Sequence, residues 1–261
     1  VAGFWAFPTP VKKFLLATAI ATASLLNASG QTILIDFGNN SSYRGYSQSG
    51  PDANGNYWTS VWSGAYFPNL LDTTGTATPV GLGFVTVGGT DSFNGPAGVT
   101  SNPATLSEVN SVTINTAALG VLGGSKAAAF DYYTNSTMAI NALSANQAYE
   151  IRLFGSHKYN ANNTTRYTLY TNNTFTTPIS SQTLVVGVNG AHNESNFATF
   201  SNVAPQGTSI YIGFEGDGGT GNGYLNALAI IAVPEPSTWA MFGIGAVGVV
   251  LAGRRRCRRE S

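Results

Sequence analysis

Apolar and polar residues alternate over short runs along most of this chain, and Gly, Asn, Pro or Ser separates each run from the next. A period of two belongs to a strand with one buried face. The run PVGLGFVTVGG (79–89) places Leu82 and Phe84 on one side, with Val87 beyond them, and SVTINT does so with Val112 and Ile114. STMAINAL pairs Met138 with Ile140, AYEIRLFGS aligns Tyr149, Ile151 and Leu153, and TRYTLYTN points Tyr167 and Leu169 inward together. TILIDFG (32–38) is a short apolar run closed by Gly-Asn-Asn, and NYWTSVW (56–62) follows the turn-like PDANG. With TLVVGVN, FATFSNV, SIYIGFEG and YLNALAIIAV the pattern predicts ten or eleven strands, and only residues 125–133 (SKAAAFDYY) read as a helix. Strands joined by loops of this kind predict an all-β fold, an antiparallel two-sheet β-sandwich of the jelly-roll type. No fixed-period repeat is visible, which argues against a propeller or solenoid.

The two ends follow another pattern. Near the start, Lys12 and Lys13 precede an apolar core from Phe14 to Leu26 and the small residues Ala28, Ser29 and Gly30. That is the layout of a secretory signal peptide over residues 1–30, predicting passage through the Sec translocon and cleavage by signal peptidase near Gly30. Val11 directly precedes the lysines and reads as an alternative start codon, which would leave residues 1–10 untranslated. At the other end, the 16 apolar residues from Thr238 to Gly253 would span about 24 Å as a helix. Arg254, Arg255, Arg256, Arg258 and Arg259 follow. Such a cluster stays on the cytoplasmic side, so the body would lie across the membrane from it. Pro234 and Pro236 interrupt both helix and strand and keep the junction extended. The expected organisation is therefore residues 1–30, a sandwich over 31–232, and a tail over 233–261 with a signal helix and a hydrophobic helix flanking the body.

The sequence Val233, Pro234, Glu235, Pro236, the short hydrophobic run and the cluster at Arg254, Arg255 and Arg256 resemble the PEP-CTERM sorting signal of Gram-negative bacteria. That resemblance implies recognition and removal of the tail by exosortase, a transient inner-membrane intermediate, and delivery to the cell surface or extracellular matrix of cells that make exopolysaccharide. More loosely, the order ILIDFG, PDANGNYW, LLDTTGTAT, YEIRLFGSHKYNANNTTRYTLY and GYLNALAI resembles secreted galactose-binding and malectin-like β-sandwich domains. It implies a jelly roll and contact with carbohydrate, without fixing a ligand.

Charge narrows the partners. Between Gln31 and Val233 there are five basic residues against ten acidic ones, a net charge of −5. An acidic body with no basic cluster excludes nucleic acid, whose phosphates require grouped Lys and Arg. The single cysteine, Cys257, lies in the tail, so the body has no disulfide, thiol nucleophile or zinc–thiolate site.

Saccharides are held by aromatic faces and a few fixed polar groups. Tyr43, Tyr46, Tyr57, Trp58, Trp62 and Tyr66 crowd one stretch, although a sandwich core would claim many of them. Tyr57, Trp58 and Trp62 are the candidate glycan contacts, with His157 and Arg166 of the loop GSHKYNANNTTRY as a rim. FEGDGGTGNGY sets Glu215 and Asp217 two apart among glycines, and Asp36 sits in IDFGNN; these oxygens are candidate calcium ligands, against the plainer reading of a Gly-rich hairpin. No other cofactor is expected. No catalytic residues are assigned: the G-x-S-x-G elbow is missing, both histidines fall in Asn-rich loops, and nothing local pairs Asp131, Glu150, Glu194, Glu215 or Asp217. The expected function is a non-enzymatic surface protein associating with exopolysaccharide. The alternatives are a structural envelope protein without a specific ligand and a carbohydrate-active hydrolase using Asp131 or Glu215.

Overall fold

The computed structural model divides the chain into a body, Gln31–Val233, and a second unit formed by its ends, Val1–Gly30 and Pro234–Ser261. The structure describes residues 30–38, 50–62, 66–93, 112–157, 162–219 and 221–234; the expected signal peptide, the hydrophobic run 238–253 and the arginines lie outside them.

Fifteen strands occur among the described residues. They are β1 (Thr32–Phe37), β2 (Thr59–Val61), β3 (Tyr66–Phe67), β4 (Gly81–Thr86), β5 (Gly89–Phe93), β6 (Asp131–Thr134), β7 (Thr137–Asn141) and β8 (Tyr149–Phe154). After these come β9 (Asn163–Tyr170), β10 (Pro178–Val188), β11 (Ala191–His192), β12 (Ala198–Val203), β13 (Ile210–Gly216), β14 (Tyr224–Leu225) and β15 (Ala227–Ala232). One sheet has the order β12-β8-β15-β1-β2, a second β11-β10-β9-β13-β7-β4-β3, and a small third β14-β6-β5. Every pairing is antiparallel except β1 with β2, which is parallel. The fold is thus an all-β sandwich, as expected, and the strands beyond the anticipated ten or eleven are mainly short pieces.

The main core lies between the two large sheets. Ile33, Ile35, Ile151, Leu153, Leu228 and Ile230 of the five-stranded sheet meet Leu82, Met138, Ile140, Tyr167, Leu169 and Ile212 of the seven-stranded sheet. The alternation read in β7, β8 and β9 is that contact. A second core covers the opposite side of the five-stranded sheet, where Leu34, Ala227 and Ala229 pack against Trp58, Val112, Leu119, Leu122 and Phe130. Strand β1 is therefore buried on both faces, which accounts for its unbroken apolar run.

This second layer corrects two expectations. Residues 112–115, read as a strand, join no sheet; the Asn115 amide donates to the Glu194 carbonyl at 2.8 Å, and Asn115 caps the short helix α1 (Thr116–Leu119) by accepting from the Ala118 amide at 3.1 Å. The helix expected over residues 125–133 is only a 3₁₀ turn at Ala127–Ala129, followed by β6. Tyr132 and Tyr133 are both buried, an arrangement in which the aromatic preference for a pleated surface prevails over the helix preference of the alanines.

Buried polar groups stitch the layers together. Asn226 accepts from the Ser156 amide at 2.7 Å and donates to the Asp131 carbonyl at 2.8 Å. Two turns share one device: Asp72 and Asn172 each accept from the amide and hydroxyl of the threonine two residues on. The next position is left-handed in both, Gly75 at φ 84° and Phe175 at φ 53°. Glycine adopts that conformation readily, whereas a phenylalanine there must be held by its surroundings.

Candidate functional site

The structure separates the residues singled out from the sequence. Trp58 is only 4% exposed, and its indole Nε1–H donates to Asp52 Oδ2 at 2.8 Å. Its ring belongs to the second core and has no open face for a sugar; the expectation of glycan contact at Trp58 is corrected by the layer that covers it. Tyr57 is half-buried, and its ring packs on Gly75. Trp62 is 43% exposed and meets Phe67 edge-on at 4.6 Å. His157, expected in a solvated loop, is buried; it stacks on Tyr224 at 3.9 Å, meets Tyr132 edge-on, and shares a 3.0 Å hydrogen bond between its Nδ1 and Asn163 Nδ2. Burial pushes its imidazole down to about 4. His192 Nε2 lies 2.8 Å from the Thr113 carbonyl, positioned to donate to it.

Asp36 is fully buried and accepts from Ser60 Oγ at 3.1 Å, within the five-stranded sheet. Glu215 is exposed on the other large sheet, and Asp217 pairs with Arg166 at 2.5 Å. The three carboxylates do not form one cluster, and no group of three or more His, Cys, Asp or Glu among the described residues is placed to hold a metal. Asp131 is buried beneath Gly38, whereas Glu215 faces solvent. Of the sorting residues, Val233 and Pro234 are described; Glu235, Pro236, Arg254, Arg255 and Arg256 lie outside the described residues, as do Tyr43 and Tyr46.

What the sequence reading missed is the outer face of the seven-stranded sheet. The helical layer packs on the other sheet, and this face keeps Tyr66 at 55% and Val85 at 50% exposure. Strand register lines up Tyr66, Gly83, Ala139, Tyr211 and Tyr170 in one row across β3, β4, β7, β13 and β9. At about 4.8 Å per strand, Tyr66 and Tyr211 stand about 14 Å apart with only small residues between them. The Tyr66 ring lies across Gly81 and Gly83; a Cβ at Gly81 would collide with it, and one at Gly83 would press on it at 3.1 Å. The parallel row beside it is hydroxylic: Thr86, Thr137, Gly213, Thr168 and Ser181. Thr86 and Thr137 hydroxyls lie 2.7 Å apart, and Thr168 and Ser181 hydroxyls 2.9 Å apart.

Gly213 interrupts the hydroxyl row and leaves a hollow of about 220 Å³, walled by Thr137, Thr168, Tyr170, Glu215 and Asn135. The Tyr170 ring leans over it, 3.0 Å from where a Gly213 Cβ would sit. Arg166 stands opposite Glu215 in the next row, and its guanidinium is bound to Asp217. Aromatic rings, hydroxyls and one open carboxylate on a rigid sheet can bind a polyhydroxylated chain through C–H contacts and hydrogen bonds. The sequence signal for this face was the Gly-x-Gly of β4, because glycine inside an alternating strand marks close approach by another group.

A model of the PEP-CTERM protein-sorting motif matches residues 232–256. The C-terminus carries that motif, which implies exosortase processing, export and sorting to the bacterial surface. No curated protein sequence matches the chain. Among solved structures, a calcium-binding mutant of Bacteroides uniformis beta-glucuronidase 2 is 12% identical, with a TM-score of 0.41 over 80% of this chain and 19% of the other. The ANXUR2 extracellular domain from Arabidopsis thaliana is 16% identical, with a TM-score of 0.34 over 65% of this chain and 54% of the other. The CBM32 of AlyQ, in complex with 4,5-unsaturated mannuronic acid, is 15% identical, with a TM-score of 0.25 over 57% of this chain and 92% of the other. The chain spans about a fifth of the length of the glucuronidase it matches.

Proposed function

We propose that this exosortase-sorted surface protein associates non-catalytically with exopolysaccharide, through the outer face of its seven-stranded sheet. The observation that supports this reading is the row Tyr66, Gly83, Ala139, Tyr211 and Tyr170: two aromatic stations separated by small residues, with a row of hydroxyls alongside. A glycan chain laid across the strands would stack on the rings and exchange hydrogen bonds with Thr86 and Thr137. Trp62, exposed beside β3 at one edge of the sheet, would extend the contact, with Arg166 of β9 at the far side.

Affinity electrophoresis through gels cast with polysaccharide from the producing cells tests the reading. The secreted protein is expected to be retarded, and Tyr66→Ala and Tyr211→Ala each to lose most of that retardation while melting as the parent does. Unretarded parent protein would favour a purely structural envelope role. Polysaccharide turnover abolished by Glu215→Gln would favour a hydrolase.

The delivery route proposed here begins with Sec translocation and signal-peptidase cleavage near Gly30. A transient inner-membrane intermediate follows in a Gram-negative cell, held by residues 238–253 with the arginines in the cytoplasm. Intact mass of the protein from the native surface tests this: a span starting near Gln31 and ending near Pro-Glu-Pro supports it, and a mass that includes the arginines overturns it.

A further inference from the structure

We infer that a second cleft, at the flank of the sandwich where β10 and the edge strand β12 face each other, binds an uncharged sugar of one or two rings; it adjoins the tyrosine row and shares Tyr170 and Tyr211 with it. Its volume is about 370 Å³. That is at the small end of the roughly 300–1,000 Å³ of small-molecule sites.

The floor comes from core positions, Leu169, Phe200 and Ile210, and Tyr170 and Tyr211 stand beside them. Six polar residues share the lining with Ile179, Val203 and Ala204: Ser180, Gln182, Thr199, Ser201, Asn202 and Gln206. None of the lining residues is charged. Among the described residues, none of these six side chains hydrogen-bonds to the protein. Elsewhere Asp72, Asn172, Asn193 and Asn226 are all engaged in such bonds. Six hydroxyl and amide groups gathered over an apolar floor complement a ligand with a C–H face and a periphery of hydroxyls; a carboxylated ligand would find no cation.

The backbone around the cleft is shaped against its own preferences. The β12–β8 register slips between Phe200 and Val203, and Asn202 within that bulge sits at φ 58°. Bulges re-aim side chains beside binding sites, and non-glycine residues persist in the left-handed region only where their surroundings hold them. At the adjacent β9–β10 turn, Phe175 is held at φ 53° by edge contacts with Tyr170 at 5.4 Å and Tyr211 at 6.2 Å. The tyrosine pair is thereby packed against the ring of that turn.

The test is NMR titration of the secreted protein with cellobiose, maltose, lactose and N,N′-diacetylchitobiose, with glucuronic acid as the charged control. At least one neutral disaccharide is expected to shift the Phe200 ring and the Leu169 and Ile210 methyl signals saturably, and glucuronic acid to leave them unmoved. Ala204→Trp, which fills the rim from an exposed position, and Gln182→Leu should each weaken that response at least tenfold, and Tyr66→Ala should leave it unchanged. No response to any neutral disaccharide, equal response to glucuronic acid, or a response that survives Ala204→Trp would overturn the inference. Tyr66 belongs to the sheet face and not to the cleft, and Ala204 to the cleft and not to the face, so failure of one site is distinguishable from failure of the other.

Discussion

The phenolic O–H of Tyr167 donates to the backbone carbonyl of Tyr224 at 2.5 Å, a bond buried between β9 and β14. Burial pushes the phenol far above its ordinary ionisation range, with a smaller opposing effect from Thr165. Gly155 packs against this pair so closely that a Cβ there would overlap the phenolic oxygen. Tyr167→Phe keeps the ring and strands the carbonyl. The expected loss is about 1–3 kcal/mol in urea unfolding, with native near-UV circular dichroism retained.

His157 should make the body acid-sensitive. Its folded-state pKa, about 4, lies below the ordinary 6.5, so the folded state binds fewer protons than the unfolded one below neutrality. The stabilisation is complete above about pH 6.5 and disappears as the pH falls towards 4. By pH 4.5 the loss should be on the order of 2 kcal/mol. A stability profile from pH 7.5 to 4.5 checks this, and His157→Gln should flatten the fall.

The two neighbouring tryptophans should respond oppositely. Trp58→Phe removes the indole donor to Asp52, for an expected cost of about 1–3 kcal/mol in stability and no change in polysaccharide retardation. Trp62→Ala, at an exposed position, should change stability by no more than about 0.5–1 kcal/mol. It should weaken retardation by roughly 2- to 10-fold, the range of one aromatic contact of about 0.5–1.5 kcal/mol. Equal retardation of all three proteins would remove Trp62 from the contact.

Gly38 should be among the least tolerant positions. A Cβ there would overlap the carboxyl group of Asp131, itself fully buried. Gly38→Ala should cost about 3 kcal/mol or more, read as a lower urea midpoint, because neither the strand end nor the carboxylate has room to yield. Gly55→Ala is the contrast: nothing lies within 4 Å of its Cβ position, and only its left-handed backbone opposes the change.

How far the sequence could be read depended on what each residue faces. Met138 with Ile140, and Tyr167 with Leu169, announced their strands because a single core lies on one side of them and alternation records it. Trp58 misled because its cover comes from residues near 112–130, remote in sequence, and no local period encodes a layer that folds back from there. The tyrosine row was invisible for a related reason: Tyr66, Tyr211 and Tyr170 lie on three strands, and only register brings them together. The cleft depends on an irregularity, the slip at Ser201 and Asn202, that alternation does not report.

Strand β15 runs between β1 and β8, with Thr32 opposite Ile231, and leads directly to Val233 at the start of the sorting motif. The Val233 amide donates to the Ala148 carbonyl at 2.8 Å. A pull along the axis of β15 would load it in shear, so that the ladders on both its sides would resist together instead of opening one rung at a time. The strand that leads into the sorting motif is thus gripped along both of its edges.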